Sequence, residues 1–316
     1  MTALEIYTLG VDTRLQQFPD TPDNFISAES IVVIGSGSYT DAAKVAMIAH
    51  ATFNPSDKLE LSDIESLALK SKTKPTTIKS KEPRDLQKQL FSHPKCAAKC
   101  VILDPELCTT TPMRLWLGSG IRAVDHCIEA LCSEKCTSEI GLVAEQGLRN
   151  LLIGLLASHE DSQNVLAKGQ SQIGAWQAMR AIHEKVELGA SHAIGHQLGG
   201  VANVAHDGTS CVLLPSVLKY NKTVNVELQK RVANILWESS SSILEEAGLN
   251  QDTDTGDLLK AFMKALGLPT SLREVGVGED LYDDIAIHSL SDALAPTNPR
   301  PLRNIEQVKE ILKMSA

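Results

Sequence analysis

Apolar residues along this chain follow two habits, and the habits divide it unevenly. Residues 31–35 (IVVIG) and 101–103 (VIL) are short, β-branched apolar runs that predict buried parallel strands. Beyond them the period changes. Residues 140–156 (IGLVAEQGLRNLLIGLL) place apolar side chains three and four apart, as a helix buried along one face requires. Residues 171–186, 224–244 and 258–266 repeat that spacing, and 41–50 and 305–314 are shorter helices of the same kind. Strand signals stop before about residue 112, and helix signals dominate afterwards. The pattern predicts an α/β N-terminal domain over residues 1–112 and an all-α domain over 113–316, divided near residues 107–112. Residues 70–84 (KSKTKPTTIKSKEPR), basic and proline-containing, read as an exposed loop.

Composition narrows the classes. A chain of 316 residues suggests two domains. At 43% hydrophobic and 22% charged it is neither disordered, collagenous nor a disulfide scaffold. Aromatic residues are only 4%, so aliphatic side chains and alanine must build the core. Thirty Lys and Arg against 39 Asp and Glu leave a net charge of -9, which argues against a nucleic-acid partner. No apolar run of membrane-spanning length is expected, and residues 1–23 lack the order of a signal peptide. The seven cysteines read as reduced thiols of a cytoplasmic protein. Cys127, Cys132 and Cys136 lack metal-site spacing and read as small buried residues.

Two places could carry chemistry. Gly35, Ser36, Gly37 and Ser38 join the first strand to a helix, where free N–H groups and the helix dipole favour a phosphate. Thr40 stands where a dinucleotide fingerprint has its third glycine, so a plain tight turn stays open as the alternative. The second place is richer. His192 and His196 are four apart, on one face of a helix that Gly199 and Gly200 are expected to break, with His206 ten residues beyond His196 and His126 in another helix (GIRAVDHCIEA). Imidazoles at that spacing are a common way to build a divalent-metal site, although a lone histidine is more often an ordinary packed residue.

The blocks GSGSYTDAAK, LDPELCTTTP, SGIRAVDHCIEA, GASHAIGHQLGG, LLPSVLKYN and TNPRP follow in order from about Ile31 to the C-terminus. Together they resemble the iron-containing alcohol dehydrogenase superfamily, in particular its maleylacetate reductase-like branch. The resemblance implies a dehydroquinate synthase-like fold, with a nucleotide domain, a helical metal domain and a cleft between them. It implies that Gly35, Ser36, Gly37 and Ser38 hold the pyrophosphate of NAD(P), that Asp41 is also a cofactor-binding residue, and that Thr76 and Thr77 begin a loop at the nicotinamide end. It implies His126, His192 and His206 as metal ligands, with His196 beside substrate and nicotinamide. A divalent ion there would polarise a carbonyl and stabilise the alkoxide that forms as hydride arrives.

Three departures fall on that equipment. Arg122 replaces the aspartate of the family's Asp-x-x-x-His pair. At an effective dielectric near 20, a unit charge about 4 Å away is worth roughly 4 kcal/mol, so Arg122 disfavours Fe or Zn unless Asp125 or another acid neutralises it. Its planar fork could instead bind a carboxylate or enolate oxygen. After Thr77 the nicotinamide loop is cut short, and only 34 residues precede Gly35, too few for the whole first half of a dinucleotide domain. NAD(P) binding is therefore expected to be weak. A smaller, further change is that His206 is followed by Asp207, where the family usually has glycine.

Three functions compete. The first is an NAD(P)-dependent reductase of a small carbonyl or keto acid, with His196, His192 and Arg122 as its catalytic residues. The second is a non-redox isomerase, lyase or cyclase, in which His196 or His192 moves protons and Arg122 holds an anion. The third is a non-catalytic paralogue. A small molecule is the expected partner in the first two, and a homodimer is compatible with all three.

Overall fold

The computed structural model describes residues 101–184 and 186–316, with the backbone alone at His206 and Asp207. The expectations for the strand at 31–35, the helix at 41–50, the turn at Gly35 to Ser38, Asp41, Thr76 and Thr77 lie outside the described residues, and with them the α/β domain. The chain divides into two compact units, residues 1–79 with 88–101 and residues 80–87 with 102–316. The second unit, as far as it is described, is helical.

Eight α-helices are described: α1 Met113–Leu131, α2 Ser138–Glu160, α3 Val165–His183, α4 Ala190–Val201, α5 His206–Glu246, α6 Thr255–Ala265, α7 Tyr282–Ser289 and α8 Ile305–Met314. Their starts are written in local sequence. Thr137, Asn164 and Asp254 each accept a backbone N–H of the first turn of α2, α3 and α6, and Asn304 forms a capping box with Gln307 at α8. The helices expected at 140–156, 171–186, 258–266 and 305–314 are therefore present. The one expected at 224–244 is the second half of α5, whose backbone leaves helical geometry at Asn225 and Ser240.

Two apolar clusters hold the unit together. Leu117, Ile121, Val124 and Ile128 of α1 pack with Leu148, Leu151, Leu152 and Leu155 of α2, and with Phe262 and Met263 of α6. Ala193, Ile194 and Leu198 of α4 pack with Leu213 of α5, Ile285 of α7 and Ile311 of α8. Helix α5 contributes to both. With few aromatics, the helices approach closely through small residues. A Cβ added to Gly174 would meet Leu151 Cγ at 2.8 Å and the Gly147 carbonyl oxygen at 2.9 Å, so α2 and α3 touch backbone to backbone.

Three expectations need correction. Residues 101–103 are irregular chain, not a buried strand, with Val101 69% and Ile102 83% exposed. Gly199 and Gly200 do not break α4, which runs through them to Val201. Helix α2 is long and apolar enough, by length and composition, to cross a membrane, although no such run was expected. Its apolar face is the one packed in the first cluster, which gives the composition a reason in the core.

Candidate functional site

The site is built where α4 begins against α1. A helix start leaves its first N–H groups without intrahelical partners, and here side chains from elsewhere supply them. Glu129 of α1 accepts from Gly189 N at 2.9 Å and from Ser191 N at 3.0 Å, while Asn298 Oδ1 accepts from Ala190 N at 3.0 Å. Gly189 has to be glycine. A Cβ there would lie 2.6 Å from Asn298 Oδ1 and 3.2 Å from Glu129 Oε1. Asn298 is held by a buried amide pair with Asn221, so the LLPSVLKYN and TNPRP blocks meet at this helix start.

Glu129 then fixes the central histidine. His192 Nδ1 lies 2.8 Å from Glu129 Oε2, so the ring nitrogen donates and the carboxylate takes its third N–H. The opposite nitrogen, Nε2, is buried and has no hydrogen-bond partner among the described residues. Asp125, one turn earlier on α1, accepts from Ser191 Oγ at 2.7 Å and lies 3.8 Å from His192 Nδ1. Burial pushes the Asp125 carboxyl up to about 6, against the pull of His192 and with help from the Glu129 charge. Burial alone would push the His192 imidazole down, but Asp125 and Glu129 together carry it above its ordinary value, and Arg122 opposes them. The group is one shared-charge cluster.

Helical spacing sets the rest. Arg122, His126 and Glu129 follow one another at four- and three-residue steps along α1, and His192 and His196 do so along α4. The His126 ring stacks on His192, with centroids 4.7 Å apart and planes 17° apart. His196 meets His192 edge-on at 6.4 Å, and its Nδ1 lies 2.9 Å from Asp292 Oδ2. Arg122 is half-buried. Burial lowers its pKa, and the charges of Asp125 and Glu129 act in the opposite direction. Glu129 is engaged by other donors on both oxygens and Asp125 through Oδ2, while Asp125 Oδ1 is buried with no hydrogen-bond partner among the described residues.

The structure thus brings together four of the residues singled out from sequence: Arg122, His126, His192 and His196. The backbone of His206 opens α5, and its side chain lies outside the description. Sequence reasoning missed Glu129, Asp292 and Asn298 and gave Asp125 no more than a neutralising role. Asp125 and Glu129 could have been found on the helical face of Arg122 and His126. Asn298 lies in the TNPRP block but carries no local sign of its partner, and Asp292 carries no local signal.

Asp125, Glu129 and His192 offer ligand atoms within 4.8 Å of one another, which invites a metal. The donors do not suit one. Glu129 is taken up by three N–H groups, Asp125 Oδ2 by a hydroxyl, and the His192 atom turned toward them carries a proton, which leaves Asp125 Oδ1 as the one unpartnered oxygen of the two carboxylates. An ion about 2.1 Å from both His126 and His192 nitrogens would have to lie in both ring planes, and stacked rings do not share one. The described residues do not fit a divalent ion in this arrangement, and Arg122 adds a positive charge beside it.

Comparison with known proteins agrees with this architecture. Residues 117–316 match the Fe-containing alcohol dehydrogenase family, C-terminal. Dehydrogenase FUM7 of Gibberella moniliformis is 33% identical over 92% of this chain and 78% of its own length. The maleylacetate reductase of Burkholderia cepacia is 28% identical over 93% and 76%. The crystal structure of maleylacetate reductase from Agrobacterium tumefaciens is 25% identical, with a TM-score of 0.61, over 71% of this chain. The chain spans 59% of that solved structure, somewhat over half its length. From the match over residues 117–316 and the relative at 33% identity, the chain belongs to the Fe-containing alcohol dehydrogenase family.

Proposed function

We propose that this chain is an oxidoreductase that reduces a small carbonyl or keto-acid substrate with NAD(P)H, and that its own side chains supply the polarising charge. The observation that carries this reading is the facing of two helices, one presenting Arg122 and His126 and the other His192 and His196. Relatives named maleylacetate reductase, alcohol dehydrogenase and NAD-dependent methanol dehydrogenase support the redox class.

Nicotinamide, when bound, supplies the hydride. The rest of the task is electrostatic and acid–base. Arg122 places a permanent positive charge beside the oxygen that becomes negative as hydride adds to carbon. His192 is locked by Glu129, so its ring stays in place, stacked on His126. His196, partly exposed, gives a proton from Nε2 to the new alkoxide and recovers it from solvent. The pyrophosphate is assigned to Gly35, Ser36, Gly37 and Ser38, with Asp41 also on the cofactor and Thr76 and Thr77 at its nicotinamide end. The division at residues 107–112 remains the proposed boundary between nucleotide and helical domains.

The test is loss of NADH absorbance with a panel of keto acids and aldehydes, using protein treated with chelator. Turnover that survives chelation and falls in Arg122→Gln supports the reading. Absence of turnover with every member of the panel overturns it.

A further inference from the structure

We infer that Asp292 is the positioning residue that sets the tautomer of His196 and thereby makes Nε2 its proton-exchanging atom. The inference rests on the proposed oxidoreductase reading for its consequence in turnover, but its geometry stands apart from it.

His196 Nδ1 and Asp292 Oδ2 are 2.9 Å apart, and both side chains are mostly buried, at 17% and 14% exposure. The carboxylate does not swing freely. Its other oxygen, Oδ1, accepts from Leu294 N at 2.9 Å, and the Asp292 backbone carbonyl accepts from Ala295 N at 3.2 Å. Asp292 therefore presents Oδ2 in one direction. An ionised carboxylate only accepts, so the imidazole nitrogen facing it must donate. In the neutral ring that leaves Nδ1 protonated and Nε2 with a lone pair. When the alcohol forms, Nε2–H of the imidazolium gives its proton to the alkoxide oxygen, and the N–H pair stays on nitrogen. In the reverse direction Nε2 takes the proton from the alcohol. The ring's residual exposure lets the proton equilibrate with water.

An amide in place of the carboxylate reverses this. The Leu294 N–H is backbone and cannot turn, so in Asp292→Asn the single carbonyl oxygen stays with it. The NH2 group then faces His196 Nδ1, which must accept, and the proton moves to Nε2. The lone pair needed for exchange with the substrate is lost, although the shape of the site is unchanged.

The experiment labels histidine with nitrogen-15 in the full chain and records the ring nitrogens across a pH series, with His196→Gln used to assign the signal. We expect the Nδ1–H tautomer in the wild type and the Nε2–H tautomer in Asp292→Asn, at an unchanged thermal midpoint. In turnover, kcat should fall about 100-fold, in the range of a lost general acid, with KM little altered. The same tautomer in both proteins overturns the inference, and so does a tautomer change that leaves kcat untouched. If the wild type turns over nothing in the panel, the oxidoreductase reading fails, and the spectra still decide whether Asp292 sets the tautomer.

Discussion

Glu129 and His192 are joined by a 2.8 Å hydrogen bond from Nδ1 to Oε2, and the same carboxylate closes the N-terminus of the helix that carries the histidine. One side chain thus does two jobs, capping α4 and orienting the ring at the centre of the site. Isosteric Glu129→Gln keeps one oxygen and turns an NH2 toward a donor. It should destabilise the protein by about 2–4 kcal/mol, since hydrogen bonds to buried charged groups are among the strong ones. Urea midpoints at a constant m value measure this. A loss under about 1 kcal/mol would show that the carboxylate does not hold α4.

Arg122 should keep the site free of divalent metal. Elemental analysis of the purified wild type is expected to find no stoichiometric Fe or Zn, and chelators should leave turnover intact. Arg122→Asp restores the family's acid and should bind Zn or Fe more tightly by competition titration, once His126 and His192 are free to turn. One equivalent of metal in the wild type, lost together with activity on chelation, would contradict the account.

Glycines on α2 and α3 should differ in sign. A Cβ on Gly154 would stand 2.9 Å from the Ala167 carbonyl oxygen, and one on Gly174 would stand 2.9 Å from that of Gly147. Either glycine-to-alanine change should cost about 1–3 kcal/mol through overpacking. Gly141 has only ordinary contacts, the nearest at 3.6 Å to Cys136 Sγ. Gly141→Ala should stabilise by about 0.5–1 kcal/mol through helix propensity. Thermal midpoints moving the same way in all three variants would rule out close approach as the cause.

Cysteine labelling should follow burial. Cys127, Cys132 and Cys211 are buried, and burial pushes the Cys132 thiol up to about 12 and the Cys127 thiol higher still. Cys108 and Cys136 are only half-buried. Because the thiolate is the nucleophile, iodoacetamide on the native protein should reach Cys108 and Cys136 first among these five. The other three should react after urea unfolding. Peptide mass mapping that finds Cys127 labelled as fast as Cys136 would contradict the packing described for α1.

The local half of the site was legible in the chain itself. His192 with His196, and Arg122 with His126, are each four apart, and a helix converts that spacing into one face without help from distant residues. Helix periods and caps are local for the same reason, and so α2, α6 and α8 could be read in advance. What joins the two faces could not. Glu129 reaches Gly189 and His192 across 60 and 63 residues, Asp292 reaches His196 across 96, and Asn298 reaches Ala190 across 108. With 39 acidic residues in the chain, no composition or spacing marks the ones that matter. Packing decides it, by bringing a helix start with unsatisfied N–H groups and two histidine rings up against those particular side chains, where a buried donor must find an acceptor.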